Sequence, residues 1–227
     1  MFGKFCKLLA VFGGLVSLSA CQSANVATLT DATLPVAMTV TVPVSAPMPQ
    51  GMPLSDPPAG FISFCMRYPN QCDASAPQPV TITLAPSTWR TLEAVNSRVN
   101  NAIWPEDDMR HYGRAEYWTI PTDGYGTCHD YALTKRKELI DAGLPQNALR
   151  IAIVVTPNDE RHAVLTVATD QGDYVLDNLR QDLLPWRDAG YQWIARQDSA
   201  SASGWAALSP LPVTEASLAA STTAATR

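Results

Sequence analysis

Apolar residues recur at helical spacing in two stretches of the chain and at strand spacing in several others. Trp89, Leu92, Val95 and Val99 lie three and four residues apart. They predict an amphipathic helix over 87–100 with Ser87 as its N-cap. Positions 128, 132, 135, 139 and 142 also share one face, and Gly143-Leu144-Pro145 stops that second helix. Beyond it the period changes. Leu149–Val155 reads as a buried strand, Arg161–Thr169 as a second and Asp173–Leu179 as a third, joined by the turns Pro157–Glu160 and Asp170–Gly172. Pro79–Leu84 and Gln192–Gln197 read as further short strands. Residues 103–121 hold Trp104, Tyr112, Tyr117 and Trp118 without a period and read as a long ordered loop. The order predicts an α+β fold in which a helix headed by a cysteine packs on an antiparallel meander.

Proline changes the reading of the first third. Many of the 18 prolines fall between Pro35 and Pro86, where no helical period survives. Residues 21–58 are mostly uncharged Ala, Thr, Val, Ser and Pro. They are expected to form an extended tether, with an edge strand over 37–44 as the other reading. Ahead of them, Lys4 and Lys7 precede a short apolar run, Leu8–Val16. That run is too short to span a bilayer, so residues 1–20 are expected to be a signal peptide. Leu18-Ser19-Ala20-Cys21 resembles a bacterial lipobox, which implies lipid on Cys21; an ordinary secretory signal cut after Ala20 is the other reading. The resemblance implies a chain held to a membrane through Cys21, on the periplasmic side of the cell envelope. Gln22 stands where inner-membrane retention would have Asp, which favours the outer membrane. Residues 208–227 are Ala/Ser/Thr-rich and are expected to be a disordered tail. Residues 59–207 are left as the globular domain, and 227 residues allow one such domain plus tails. The net charge of -5, with no Lys/Arg run, argues against a nucleic-acid partner.

The cysteines bring in the chemistry. Of five, Cys6 leaves with the signal and Cys21 takes the lipid. Cys65 and Cys72 flank Pro69-Asn70 and are expected to pair as a disulfide in an oxidising compartment. Metal binding by that pair would call for a second pair, which the chain lacks. Cys128 is then a free thiol. It sits in the first turn of its helix, where free N–H groups and the helix dipole favour the thiolate; a small buried hydrophobe is the other reading. His162 opens the second strand and Asp177 ends the third. Residues so placed on adjacent antiparallel strands can be neighbours. A thiolate nucleophile needs a general base, and the base needs a group to orient its ring. Cys128, His162 and Asp177 supply one of each.

Gly126–Ala132, His162–Leu165 and Val175–Asn178 resemble the three blocks of the bacterial transglutaminase-like cysteine peptidases. These include the LapG-like periplasmic proteases that cut large surface adhesins. The resemblance runs from about Phe61 to Trp205. It implies a papain-like/transglutaminase-like core, with Cys128 as nucleophile, His162 as base, Asp177 as orienting acid and a thioester intermediate. The implied substrate is a periplasmic or surface protein, an adhesin among the candidates. The family motif has acidic residues on both sides of the cysteine that help bind calcium. Here Thr127 and His129 stand in those places, and only Asp130 of the acidic cluster remains as a metal ligand. The resemblance implies calcium as the cofactor, but calcium prefers several oxygens, and the replaced residues argue against a requirement for it here. Two other functions stay open: acyl transfer to an amine through the same thioester, and a tethered binding module with a dead site.

Overall fold

The computed structural model describes residues 25–31, 38–72, 80–199, 201, 203–209 and 218–219. The segment expected to be a signal peptide, Cys21, part of the expected tether and most of the expected tail lie outside the described residues. Strand β1 (Val26–Asp31) pairs antiparallel with β2 (Met38–Pro43), with Leu29 opposite Val40. Leu29 and Val42 are buried in the main core. The chain then runs as an extended strap to β3 (Met52–Pro53). Tyr174 Oη donates to the Pro43 carbonyl, the Asp173 N–H and Trp186 Nε1 both donate to Ala46 O, and Arg196 donates to Pro49 O. A Cβ on Gly172 would come within 2.4 Å of Ala46 N, so the tight turn at φ +103° and the crossing strap both require glycine there. The described part of the expected tether is therefore fastened to the domain. Its Val/Thr alternation supplies a hairpin, and the carbonyls of Pro43, Ala46 and Pro49 accept from side chains and one backbone N–H of the domain.

Helix α1 (Ala59–Arg67) buries Phe61 and Phe64 and leads into a short turn closed by a Cys65–Cys72 disulfide, the expected pairing. Gln71 O in that turn accepts from Arg136 and Gln146, which ties it to the rest of the domain. Pro79 lies outside the described residues. The remainder of the expected strand at 79–84 is reduced to one parallel bridge between Ile82 and Thr169. The reason is local: Leu149 pairs with Val167, so the neighbouring strand begins too late to cover Ala168 and Asp170, and Ile82 takes both.

Helix α2 (Pro86–Ala102) starts at Pro86 with Ala85 as N-cap, not at Ser87. Proline at the first position needs no N–H partner and presets φ. The stretch read as a loop contains β4 (Trp104–Pro105) and α3 (Asp108–Tyr112); β4 pairs in parallel with β5 (Tyr125–Gly126). Helix α4 (Cys128–Asp141) follows at once. The strands β6 (Leu149–Val155), β7 (Arg161–Thr169) and β8 (Gly172–Leu176) form the expected meander. Strands β9 (Leu184–Pro185), β10 (Gln192–Gln197) and β11 (Trp205–Ala207) complete an antiparallel sheet of order β3-β11-β10-β6-β7-β8-β9.

Leu133 and Leu139 of α4, and Leu92, Val95 and Val99 of α2, bury against Ile151, Ile153, Leu165, Val167 and Leu176 of the sheet. Ala152, Val154, Val164 and Val175 form a second, smaller cluster with Trp186 and Trp193 packed on it. The fold is thus the expected α+β core, a cysteine-headed helix on an antiparallel sheet. Among the described residues no helix is long and apolar enough to cross a membrane.

Candidate active site

The site forms where the N-terminus of α4 meets the β7–β8 end of the sheet. Thr127 is the N-cap of α4, and its N–H donates to Asp130 Oδ2 at 3.0 Å. The other oxygen of Asp130 accepts from Thr119 N–H at 2.8 Å. Gly126 leaves room for this: a Cβ there would stand 2.8 Å from Asp130 Oδ2. One buried carboxylate therefore holds both the helix start and the loop beside it, and Cys128 becomes the first residue of the helix.

His162 lies on β7 opposite Val154 of β6. Leu165 pairs with Leu176, so Asp177, one residue past β8, is a diagonal neighbour of His162. His162 Nε2 is 2.7 Å from Asp177 Oδ1. With Nε2 given to Asp177, Nδ1 is the nitrogen left for the thiol, and Cys128 is hydrogen-bonded to His162. The structure thus brings Cys128, His162 and Asp177 together, all three buried. Asp177 Oδ1 also accepts from Leu179 N–H at 3.0 Å, and its Oδ2 accepts from the Tyr191 hydroxyl. The ring of Tyr191 meets that of His162 edge to face at 5.9 Å.

These contacts set the charges. Burial would raise the Cys128 thiol, but hydrogen bonds from His129 and His162 and the charge of His162 outweigh it and lower the thiol to about 6. Burial would lower His162, but the charge and hydrogen bond of Asp177 raise it to about 10. Asp177, despite burial, is held well below the usual carboxylate range by His162, Leu179 N–H and Tyr191. A thiolate–imidazolium pair is therefore the favoured state between those two values.

Several residues of the site were not singled out from the sequence for a role. Asn96 donates to the carbonyls of Arg180 and Gln181, and Asn100 to those of Asp177 and Arg180. Their four-residue spacing on the apolar face of α2 was the signal, since a buried amide at such a position needs backbone partners. Tyr191 had no such signal. Lys135 is fully buried, and its ammonium has no hydrogen-bond partner among the described residues.

Asp108, His129 and Asp130 are the one group of three His, Cys, Asp or Glu residues, among those described, whose ligand atoms come within 4.8 Å of one another. They do not suit calcium, which takes six to eight oxygens. One of the three donors is a ring nitrogen, both Asp130 oxygens already accept N–H groups, and Asp108 Oδ2 accepts from Tyr117 N–H at 2.8 Å.

A family model for bacterial transglutaminase-like cysteine proteinases matches residues 52–211. Among solved structures the chain is similar to calcium-bound Legionella pneumophila LapG, at 25% identity and TM-score 0.44, over 51% of this chain and 67% of that one. A second Legionella pneumophila LapG structure matches at 25% identity and TM-score 0.43, over 52% and 66%. An EGTA-treated form matches at 24% identity and TM-score 0.42, over 50% and 64%. The match thus spans about two thirds of the length of those LapG chains. Comparison with curated proteins gives no match.

Proposed function

The chain belongs to the bacterial transglutaminase-like cysteine proteinases and is a cysteine peptidase, and we propose that Cys128, His162 and Asp177 carry out its chemistry through a thioester. The thiolate of Cys128 attacks the scissile carbonyl carbon. As the C–N bond breaks, His162 gives its proton to the departing amine, and the acyl group stays on Cys128 sulfur. His162, now neutral, takes a proton from water as that water attacks the thioester. Collapse releases the acid and restores the thiolate–imidazolium pair. Asp177 keeps the His162 ring oriented and stabilises its charged form. The observation that carries this reading is the 2.7 Å His162–Asp177 contact beside a thiol held at the head of α4.

The substrate we infer is an exported protein, with surface adhesins as the first class to examine. Leu18-Ser19-Ala20-Cys21 supports a lipid on Cys21 and a place on the periplasmic side of the envelope, and Gln22 favours the outer membrane. The calcium of the LapG structure is not carried over to this chain, whose cluster has the wrong donors for it. The reading is tested by incubating periplasmic and surface proteins with wild type and with Cys128→Ala and sequencing the fragments. New termini that appear only with wild type support it. Amine incorporation without cleavage would indicate acyl transfer in its place.

A further inference from the structure

The carboxylates of Asp108 and Asp130 are fully buried beside the nucleophile, and burying two like charges together is costly unless a cation lies between them. In this chain a side chain occupies that position. His129 Nε2 is 3.3 Å from Asp108 Oδ2 and 3.4 Å from Asp130 Oδ1. The Thr127 hydroxyl lies against the same ring edge, 2.8 Å from Nε2 and 3.1 Å from Nδ1. Trp118 closes the flat side, stacked on the imidazole at 5.0 Å and 7°. The indole is held in turn by Glu116, which accepts from its Nε1 at 2.8 Å.

We propose that the imidazolium of His129 is the resident cation of this cluster, taking the electrostatic place of a divalent metal ion and fixing the loop at 117–119 to the start of α4. Asp108 holds the Tyr117 N–H, and Asp130 holds the N–H groups of Thr119 and Thr127. A positive ring between the two acids therefore joins three backbone segments at one point. His129 is also hydrogen-bonded to Cys128 and adds to the lowering of its thiol. The residue following the nucleophile thus does two things: it neutralises the acids that position the helix start, and it stabilises the thiolate.

The inference deepens the reading of Cys128 as nucleophile, but its first test does not depend on that reading. Wild-type protein purified without chelator is assayed for bound metal, and its thermal midpoint is measured with EGTA and with added calcium. No stoichiometric metal and an unchanged midpoint are expected. One metal ion per chain, or a midpoint raised by calcium, would overturn the inference and leave the peptidase reading standing. The second test is His129→Gln, which keeps a hydrogen-bonding side chain and removes the charge. Its midpoint should fall, and iodoacetamide should alkylate Cys128 about tenfold more slowly at about pH 5, below the thiol midpoint, the effect of a one-unit rise in the thiol pKa. A His129→Gln protein with wild-type midpoint and wild-type alkylation would also overturn it. Should that variant fail to fold, the wild-type metal and calcium measurements still decide.

Discussion

Asn100, in the last turn of α2, donates its side-chain amide to the main-chain carbonyl of Asp177 at 2.9 Å. The same amide reaches Arg180 O at 2.8 Å, and Asn96 one turn earlier holds Arg180 and Gln181. The backbone that carries the carboxylate partner of His162 is therefore fixed directly by side chains of α2. Asn100→Ala strands the buried Asp177 carbonyl, while Arg180 O keeps the Asn96 amide, and the loss costs about 1–3 kcal/mol. Urea unfolding should show a loss of that order, and peptidase activity should fall with it.

Tyr191 donates its hydroxyl to Asp177 and packs its ring on His162. Tyr191→Phe keeps the ring and removes the donor. We expect kcat to fall about tenfold, a change near 1.4 kcal/mol in the barrier, with a thermal midpoint close to wild type. Tyr191→Ala should lose more, because the ring contact goes too. Equal effects of the two substitutions would show that the hydroxyl alone matters.

Lys135 is buried without a hydrogen-bond partner among the described residues, and burial lowers its ammonium from 10.5 to about 7, with only Asp177 acting the other way. The unfolded chain then binds a proton more readily than the folded one. The penalty is full below about pH 7 and disappears as pH rises towards 10.5. Lys135→Met should therefore raise the thermal midpoint, most at neutral pH and below, with the gain shrinking under alkaline conditions. A gain that grows with pH would contradict this assignment.

Cys21→Ser tests the anchoring proposal. The lipobox-like Leu18-Ser19-Ala20-Cys21 leads us to expect that the substitution releases the exported protein from the membrane fraction. Mass spectrometry of the wild-type mature N-terminus should find acyl chains on Cys21, and a bare N-terminus would refute the proposal.

The sequence made the helices and the meander legible because their apolar periods are long and their stops are marked by glycine and proline, as at Gly143-Leu144-Pro145. The trio of Cys128, His162 and Asp177 was legible from element ends alone, since adjacent antiparallel strands bring such ends together. The strap over 44–51 was not. Its attachments run through single bonds such as Tyr174 to Pro43 and Arg196 to Pro49, across more than a hundred residues of sequence. Periodicity carries no trace of contacts of that kind. His129 was read as a poor calcium ligand; its ion pairing with Asp108 depends on how α3 meets α4, which local sequence does not encode.

The pH dependence of Cys128 alkylation tests the central claim most directly, because it reads the nucleophile without a substrate. The rate of iodoacetamide labelling is followed across pH in wild type, with Cys128→Ala as the blank. The thiolate held by His129 and His162 should give a midpoint near about 6 rather than the ordinary 9. His162→Ala should move that midpoint upward, because it removes a charge and a hydrogen bond that favour the thiolate. A midpoint in the ordinary thiol range, unmoved by His162→Ala, would contradict a Cys128–His162 pair and the peptidase mechanism built on it.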